Sequence, residues 1–167
     1  LMVDVSNSMY ANDVNPSRME RTKLFLSTLI DKLPNDKISL GIFAGEAYPQ
    51  MPITKDHISA KIFVETLSPG MVTSQGTNLS SAIELAQRSF TSDEEVGKAI
   101  VIITDGEDHE EGALEMAKQA KDDGMKIYVI GVGTPEGSKI PMPEGRNLLD
   151  QTNREVISSL NENICTK

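Results

Sequence analysis

Short apolar runs alternate along this chain with segments whose apolar residues recur every three or four positions. The first pattern predicts strands covered on both faces, and the second predicts helices that bury one face. Residues 1–5 read as a strand that runs into a polar cluster. Residues 16–33 read as a helix, in which Pro16 suits a first helical position and Met19, Leu26, Leu29, Ile30 and Leu33 share a face. Ile38–Phe43 is a second strand. Gly45, Pro49 and Pro52 interrupt the next stretch, leaving room for a short edge strand over 50–53. Residues 56–66 read as helical, and Leu79, Ala82, Ile83, Ala86 and Phe90 keep helical spacing without a break. Residues 99–104 are the strongest strand. Residues 111–122 predict a helix with Ala113, Met116, Ala117 and Ala120 inward, and Met125–Gly131 reads as another fully apolar strand. Residues 134–147 carry three prolines and two glycines and read as a loop or irregular hairpin, and a helix starts near Asn161.

Apolar strands separated by amphipathic helices indicate an α/β fold with three layers, a doubly wound and mostly parallel sheet with helices on both faces. At 167 residues the chain is expected to form a single domain. It opens on Leu1 with three apolar residues before Asp4, and its last helix has barely begun at residue 167. These features predict a domain truncated at both ends, cut from a longer protein. No apolar run approaches the ~18–20 residues that cross a bilayer.

Acids outnumber bases 25 to 16, a net charge of −9. No Lys/Arg cluster is present to neutralise phosphates, which argues against nucleic acid as a partner. Aromatics are 4% with no Trp, so stacking on bases or flat cofactors has little support. One Cys, Cys165, excludes an intramolecular disulfide and a Cys-rich zinc site. His57 and His109 lack partners at zinc spacing and read as surface residues. Gly131-Val132-Gly133 lacks the third glycine of a dinucleotide fingerprint and reads as backbone that needs room at a strand end. The eight Met residues read as packing.

The chemistry gathers at the carboxyl ends of the strands, where ligands bind in such folds. Asp4-Val5-Ser6-Asn7-Ser8 follows the first strand, Gly76-Thr77 precedes the helix that begins near Leu79, and Thr104-Asp105-Gly106-Glu107-Asp108 follows the 99–104 strand. In an extended turn, residues two apart point the same way, so Asp4, Ser6 and Ser8 can face one centre. The combined set of carboxylates and hydroxyls is all oxygen, which suits a hard cation: Mg²⁺, or Mn²⁺ and Ca²⁺. Thr77 also reads as a helix N-cap in a purely structural account.

Asp4-x-Ser6-x-Ser8, Thr77 and Thr104-Asp105-Gly106 together resemble the metal-ion-dependent adhesion site (MIDAS) of von Willebrand factor A domains. The resemblance implies that Ser6, Ser8 and Thr77 ligate a metal, with Asp4 and Asp105 direct or through water, and that a partner's acidic side chain completes the coordination. Glu107 is expected on the rim, where it shapes partner choice. Asp4-Val5-Ser6-Asn7-Ser8-Met9, Pro16-Ser17-Arg18-Met19-Glu20-Arg21, Gly41-Ile42-Phe43-Ala44-Gly45 and Thr104-Asp105-Gly106-Glu107-Asp108-His109-Glu110 resemble bacterial aerotolerance-type (Bat) membrane proteins more closely. That likeness implies a membrane-anchored parent in the bacterial inner membrane with this domain on its periplasmic side. It also implies a role in stress response, and partnership with other von Willebrand factor A proteins and a MoxR-type AAA+ ATPase.

The resulting expectation is a metal-dependent protein–protein interaction module without catalysis. Two alternatives compete with it. A metal-dependent phosphohydrolase could use Asp4 as nucleophile, but its acid–base partner two residues on would be Ser6. A structural domain with an unoccupied site is the other. Five acids, Asp105, Glu107, Asp108, Glu110 and Glu111, crowd one loop near Asp4. This edge would repel an acidic partner until a cation arrives.

Overall fold

The computed structural model describes residues 1–90, 96–107 and 112–162. A five-stranded sheet forms the middle layer. Its strands are β1 (Met2–Asp4), β2 (Ile38–Phe43), β3 (Ala47–Thr54), β4 (Lys98–Thr104) and β5 (Met125–Gly131), in the spatial order β3-β2-β1-β4-β5. β1 pairs parallel with both β2 and β4, β4 pairs parallel with β5, and β3 returns antiparallel at the edge. The expected mostly parallel, three-layer α/β architecture is therefore present. β3 is longer than the short edge strand expected. Its Pro49 and Pro52 are tolerated because an edge strand has only one neighbour to satisfy.

Strand side chains alternate between faces, and the two faces meet two separate cores. Val3, Leu40, Ile42 and Ile103 pack with Met19, Leu26 and Ile30 of α1 (Arg18–Lys32) and with Ala60 and Val64 of α2 (His57–Thr66). Met2, Phe43, Ile100 and Ile102 pack on the other face with Leu79, Ala82, Ile83 and Ala86 of α3 (Leu79–Ser89) and Ala120 of α4 (Ala113–Asp122). This double burial is why β1 and β4 are apolar at nearly every position.

Three expectations need correction. Pro16 precedes α1 instead of opening it. Ser17 is the N-cap, and its side chain accepts the backbone N–H of Glu20. β5 is not a fully apolar, doubly covered strand. It lies at the sheet edge, Lys126 is exposed and Tyr128 is 52% exposed, because only its inward-facing residues meet the cores. Met71 is 43% exposed, so not every Met serves as core packing.

The segment after β5 forms an irregular antiparallel arm. β6 (Ser138–Lys139) pairs with β7 (Ile157–Ser158), and bridges join Pro141 to Asn147 and Leu149 to Glu155. The hairpin expected over 134–147 thus extends through residue 158. The Thr134 carbonyl accepts the backbone N–H of Leu160, and the Asp105 carbonyl accepts that of Asn161, which brings the end of the arm back to the loop after β4. Among the described residues, no helix is long and apolar enough to cross a membrane.

Candidate functional site

The chain runs from β1 through α1 to β2 on one side of β1, while β4 lies on its other side. The carboxyl ends of β1 and β4 therefore mark the point where the sheet order reverses, the usual ligand position in such sheets. Asp4 ends β1 and Thr104 ends β4, side by side in register. Asp4 is fully buried, and each of its carboxylate oxygens has a donor. Oδ1 accepts the backbone N–H of Ser6 at 2.9 Å, and Oδ2 accepts the Thr104 hydroxyl at 2.7 Å. The tight turn folds Ser6 and Ser8 onto the same side, with their hydroxyl oxygens 2.9 Å apart and both side chains buried.

Thr77 reaches this end of the sheet on a loop laced to its surroundings. Gly45 donates to the Ser74 carbonyl, Asn78 donates to the Ala44 carbonyl, and the backbone N–H of Asn7 donates to Gln75 Oε1. Gly45 is required there. A Cβ at that position would lie 2.5 Å from Ser74 Oγ and 2.7 Å from the Gln75 carbonyl oxygen. Thr77 is buried, and it is not the cap of α3. Asn78 takes that role, accepting the backbone N–H of Ser81 at 2.8 Å. The helix-capping account of Thr77 is thereby removed.

Asp105 is fully buried beside Asp4. Its Oδ1 accepts the backbone N–H of Glu107 at 3.3 Å, and its Oδ2 accepts Arg18 Nη1 at 2.8 Å. Burial, and secondly the charge of Asp105, push the Asp4 carboxyl up to about 7, against the hydrogen bonds from Ser6 and Thr104 that favour its ionised form. Glu107 is half-buried at the edge of this cluster. The loops thus bring Asp4, Ser6, Ser8, Thr77 and Asp105 to one end of the sheet, with Glu107 beside them. His57 stands elsewhere, its Nε2 2.8 Å from the Asp36 carbonyl oxygen. Asp108, His109, Glu110, Glu111 and Cys165 lie outside the described residues.

Three further residues join the cluster through contacts that folding creates. Thr104 both orients Asp4 and, through Oγ1, accepts the backbone N–H of Gly106. Arg18 is completely buried between Asp105 and Asp13. Asp13 grips the guanidinium at Nε and Nη2, and it also accepts the N–H and hydroxyl of Thr134. The sequence does hold one signal for Arg18. A cation at the first position of a helix opposes the helix dipole, so its placement there calls for a nearby anion.

The donor chemistry fits a hard divalent cation, since two carboxylates and three hydroxyls supply oxygen alone. Among the described residues, no three His, Cys, Asp or Glu side chains are grouped as for a metal. That is consistent with a set built mainly of hydroxyls.

Comparison with known proteins agrees with this fold. A family model of the von Willebrand factor type A domain matches residues 1–107. A UPF0353 protein of Mycolicibacterium paratuberculosis is 31% identical over 163 residues, covering 86% of this chain and 48% of the relative. The chain spans under half the length of the curated relatives it matches. The crystal structure of the conserved hypothetical protein BatB from Bacteroides thetaiotaomicron superimposes with a TM-score of 0.95 at 49% identity, covering 98% of this chain and 80% of that one. An aerotolerance-related membrane protein from Bacteroides fragilis gives 0.94 at 47% identity, over 98% and 82%. Proximal thread matrix protein 1 of the mussel byssus, in a structure described with a zinc-occupied MIDAS motif, shares the fold with a TM-score of 0.67 at 23% identity, over 80% and 35%. The match that begins at the first strand and runs through the Thr104-Asp105-Gly106 loop makes this chain a member of the von Willebrand factor type A domain family.

Proposed function

We propose that this domain is a metal-dependent protein-interaction module without catalysis of its own. One observation carries the reading. Two carboxylates and three hydroxyls, all buried, are gathered from three loops at the sheet's switch point, and burial, then the neighbouring Asp105, push the Asp4 carboxyl up to about 7. A divalent cation relieves such a cluster. Mg²⁺ is the expected ion, with Mn²⁺ and Ca²⁺ as alternatives. Ser6, Ser8 and Thr77 would hold it through neutral oxygens, and Asp4 and Asp105 would act directly or through water. Hydroxyl ligands leave the ion much of its charge, so it attracts an acidic side chain of a partner protein. Glu107 would form part of the rim and repel ill-fitting acids. The mussel protein described with a zinc-occupied MIDAS motif, which shares the fold, supports a metal in this family.

Ser6, two residues after Asp4, supplies no carboxylate for acid–base work, which leaves phosphoester hydrolysis without its second group. The likeness to an aerotolerance-related membrane protein supports a membrane-anchored parent, which we place in the bacterial inner membrane with this domain on its periplasmic side. Within such an assembly the partners we favour are other von Willebrand factor A proteins and a MoxR-type AAA+ ATPase system with a stress-response role. The decisive experiment is a pull-down from bacterial membranes in Mg²⁺ and in EDTA, with the wild type and an Asp4→Ala, Ser6→Ala variant. Partners retained only by the wild type in Mg²⁺ are the expected result. Retention that survives both EDTA and the double substitution overturns the reading.

A further inference from the structure

Arg18 is fully buried, and every nitrogen of its guanidinium is engaged. Its Nη1 donates to Asp105 Oδ2 at 2.8 Å and to Ser158 Oγ at 2.6 Å. Its Nη2 donates to Asp13 Oδ2 at 2.8 Å and to the Ser158 carbonyl at 3.0 Å, and its Nε donates to Asp13 Oδ1 at 2.9 Å. Gly133, at φ +140°, makes the room. A Cβ there would lie 2.9 Å from Arg18 Nε. The guanidinium is therefore clamped from the loop before α1, from the loop after β4 and from β7, and it cannot swing away from Asp105.

A fixed cation on one oxygen of a candidate metal ligand has a definite electrostatic consequence. It cancels part of the negative charge that would otherwise draw a divalent ion, and it competes for the Asp105 Oδ2 lone pairs. Asp13 sits on the far side of the same guanidinium and takes up part of its charge. The three groups form a graded series in which Asp13 controls how much of Arg18 is felt at Asp105.

We propose that Arg18 is a positioning residue that acts through Asp105 as a built-in rival of the metal. It holds the centre at low negative charge, so that a bound cation stays weakly held and receptive to an outside carboxylate. This inference rests on the metal reading above and adds the residue that sets the metal's affinity. An Arg that served structure alone would lower metal affinity when replaced. An Arg that competes with the metal raises it.

The test is calorimetric titration of the purified chain with Mg²⁺ and with Mn²⁺, in the wild type, Arg18→Gln and Asp13→Asn, with folding checked by thermal melts in EDTA. Arg18→Gln is expected to bind metal more tightly, by on the order of tenfold, although it melts lower in EDTA. Asp13→Asn, which releases the whole guanidinium charge onto Asp105, is expected to bind more weakly by a similar factor. Should Arg18→Gln fail to fold, the sign for Asp13→Asn decides. Metal binding by the wild type together with weaker binding in Arg18→Gln, or unchanged or tighter binding in Asp13→Asn, overturns the proposal alone. A wild type that binds neither ion overturns the metal reading beneath it.

Discussion

Asp4 and Asp105 are buried acids placed close enough for each to burden the other, and Asp4 carries the visible cost. Its carboxyl is pushed from 3.8 to about 7, first by burial and then by Asp105. An acid whose pKa is raised on folding favours the native state while protonated. Metal-free protein should therefore lose stability through this group as pH rises from about 4 to about 7. Asp13 behaves oppositely. Burial pushes its carboxyl up, but the hydrogen bonds and charge of Arg18, with the N–H of Thr134, outweigh that and hold it below the ordinary carboxylate range. Its contribution is present above about pH 4 and is lost in stronger acid. Urea denaturation in EDTA at about pH 4.5 and about pH 6.5 checks the first claim: the fall in stability between these values should be smaller in Asp4→Asn than in the wild type. An equal fall in both proteins would remove Asp4 as its source.

At the scale of elements, the site depends on how three loops are tethered to the sheet. The 74–78 loop rests on the backbone of Ala44 and Gly45, just past β2, and α3 begins only after Asn78 has capped it. Two substitutions separate these roles. Asn78→Ala removes the cap acceptor and should cost about 1 kcal/mol of stability. Gly45→Ala drives a Cβ into Ser74 and Gln75, and should cost about 1–3 kcal/mol because backbone must move. It should also weaken Mg²⁺ binding by displacing Thr77. Denaturant midpoints and metal titration on the two variants distinguish them. Equal metal affinity in Gly45→Ala and the wild type would detach Thr77 from the centre.

For the whole molecule, a cation at the candidate centre would meet a chain of net charge −9 with two buried acids at one end of the sheet. Metal that binds the native state must raise the melting temperature. At a metal concentration of about 100 times Kd the gain is ~2.7 kcal/mol. For a domain of this size that corresponds to about 5–10 °C. Differential scanning calorimetry with Mg²⁺ and Mn²⁺ should show the rise in the wild type and none in the Asp4→Ala, Ser6→Ala variant. A flat response at millimolar metal in the wild type would favour a structural domain whose site stays empty.

How much of this is legible in the sequence depends on the range of the interaction concerned. Strand and helix positions, the mostly parallel sheet and the loops carrying Asp4, Ser6, Ser8, Thr77 and Asp105 can be read from local periodicity and from motif spacing, because burial on two faces or one leaves its mark residue by residue. The exposed flank of β5 cannot. An edge strand and a central strand of similar composition differ only in which neighbours arrive, and Tyr128 shows the outcome only once the sheet is assembled. Nor can the pairing of β6 with β7, whose two-residue strands carry no periodicity. The buried contact of Arg18 with Asp105 spans 87 positions in sequence, and that with Ser158 spans 140. The sequence by itself determined the fold class and the loops that carry the candidate oxygen donors, since both follow from residue type and local order. Only the tertiary structure decided that a fixed cation would stand behind one of those donors, because electrostatic pairing in a buried site depends on distance in space and leaves no trace in spacing along the chain.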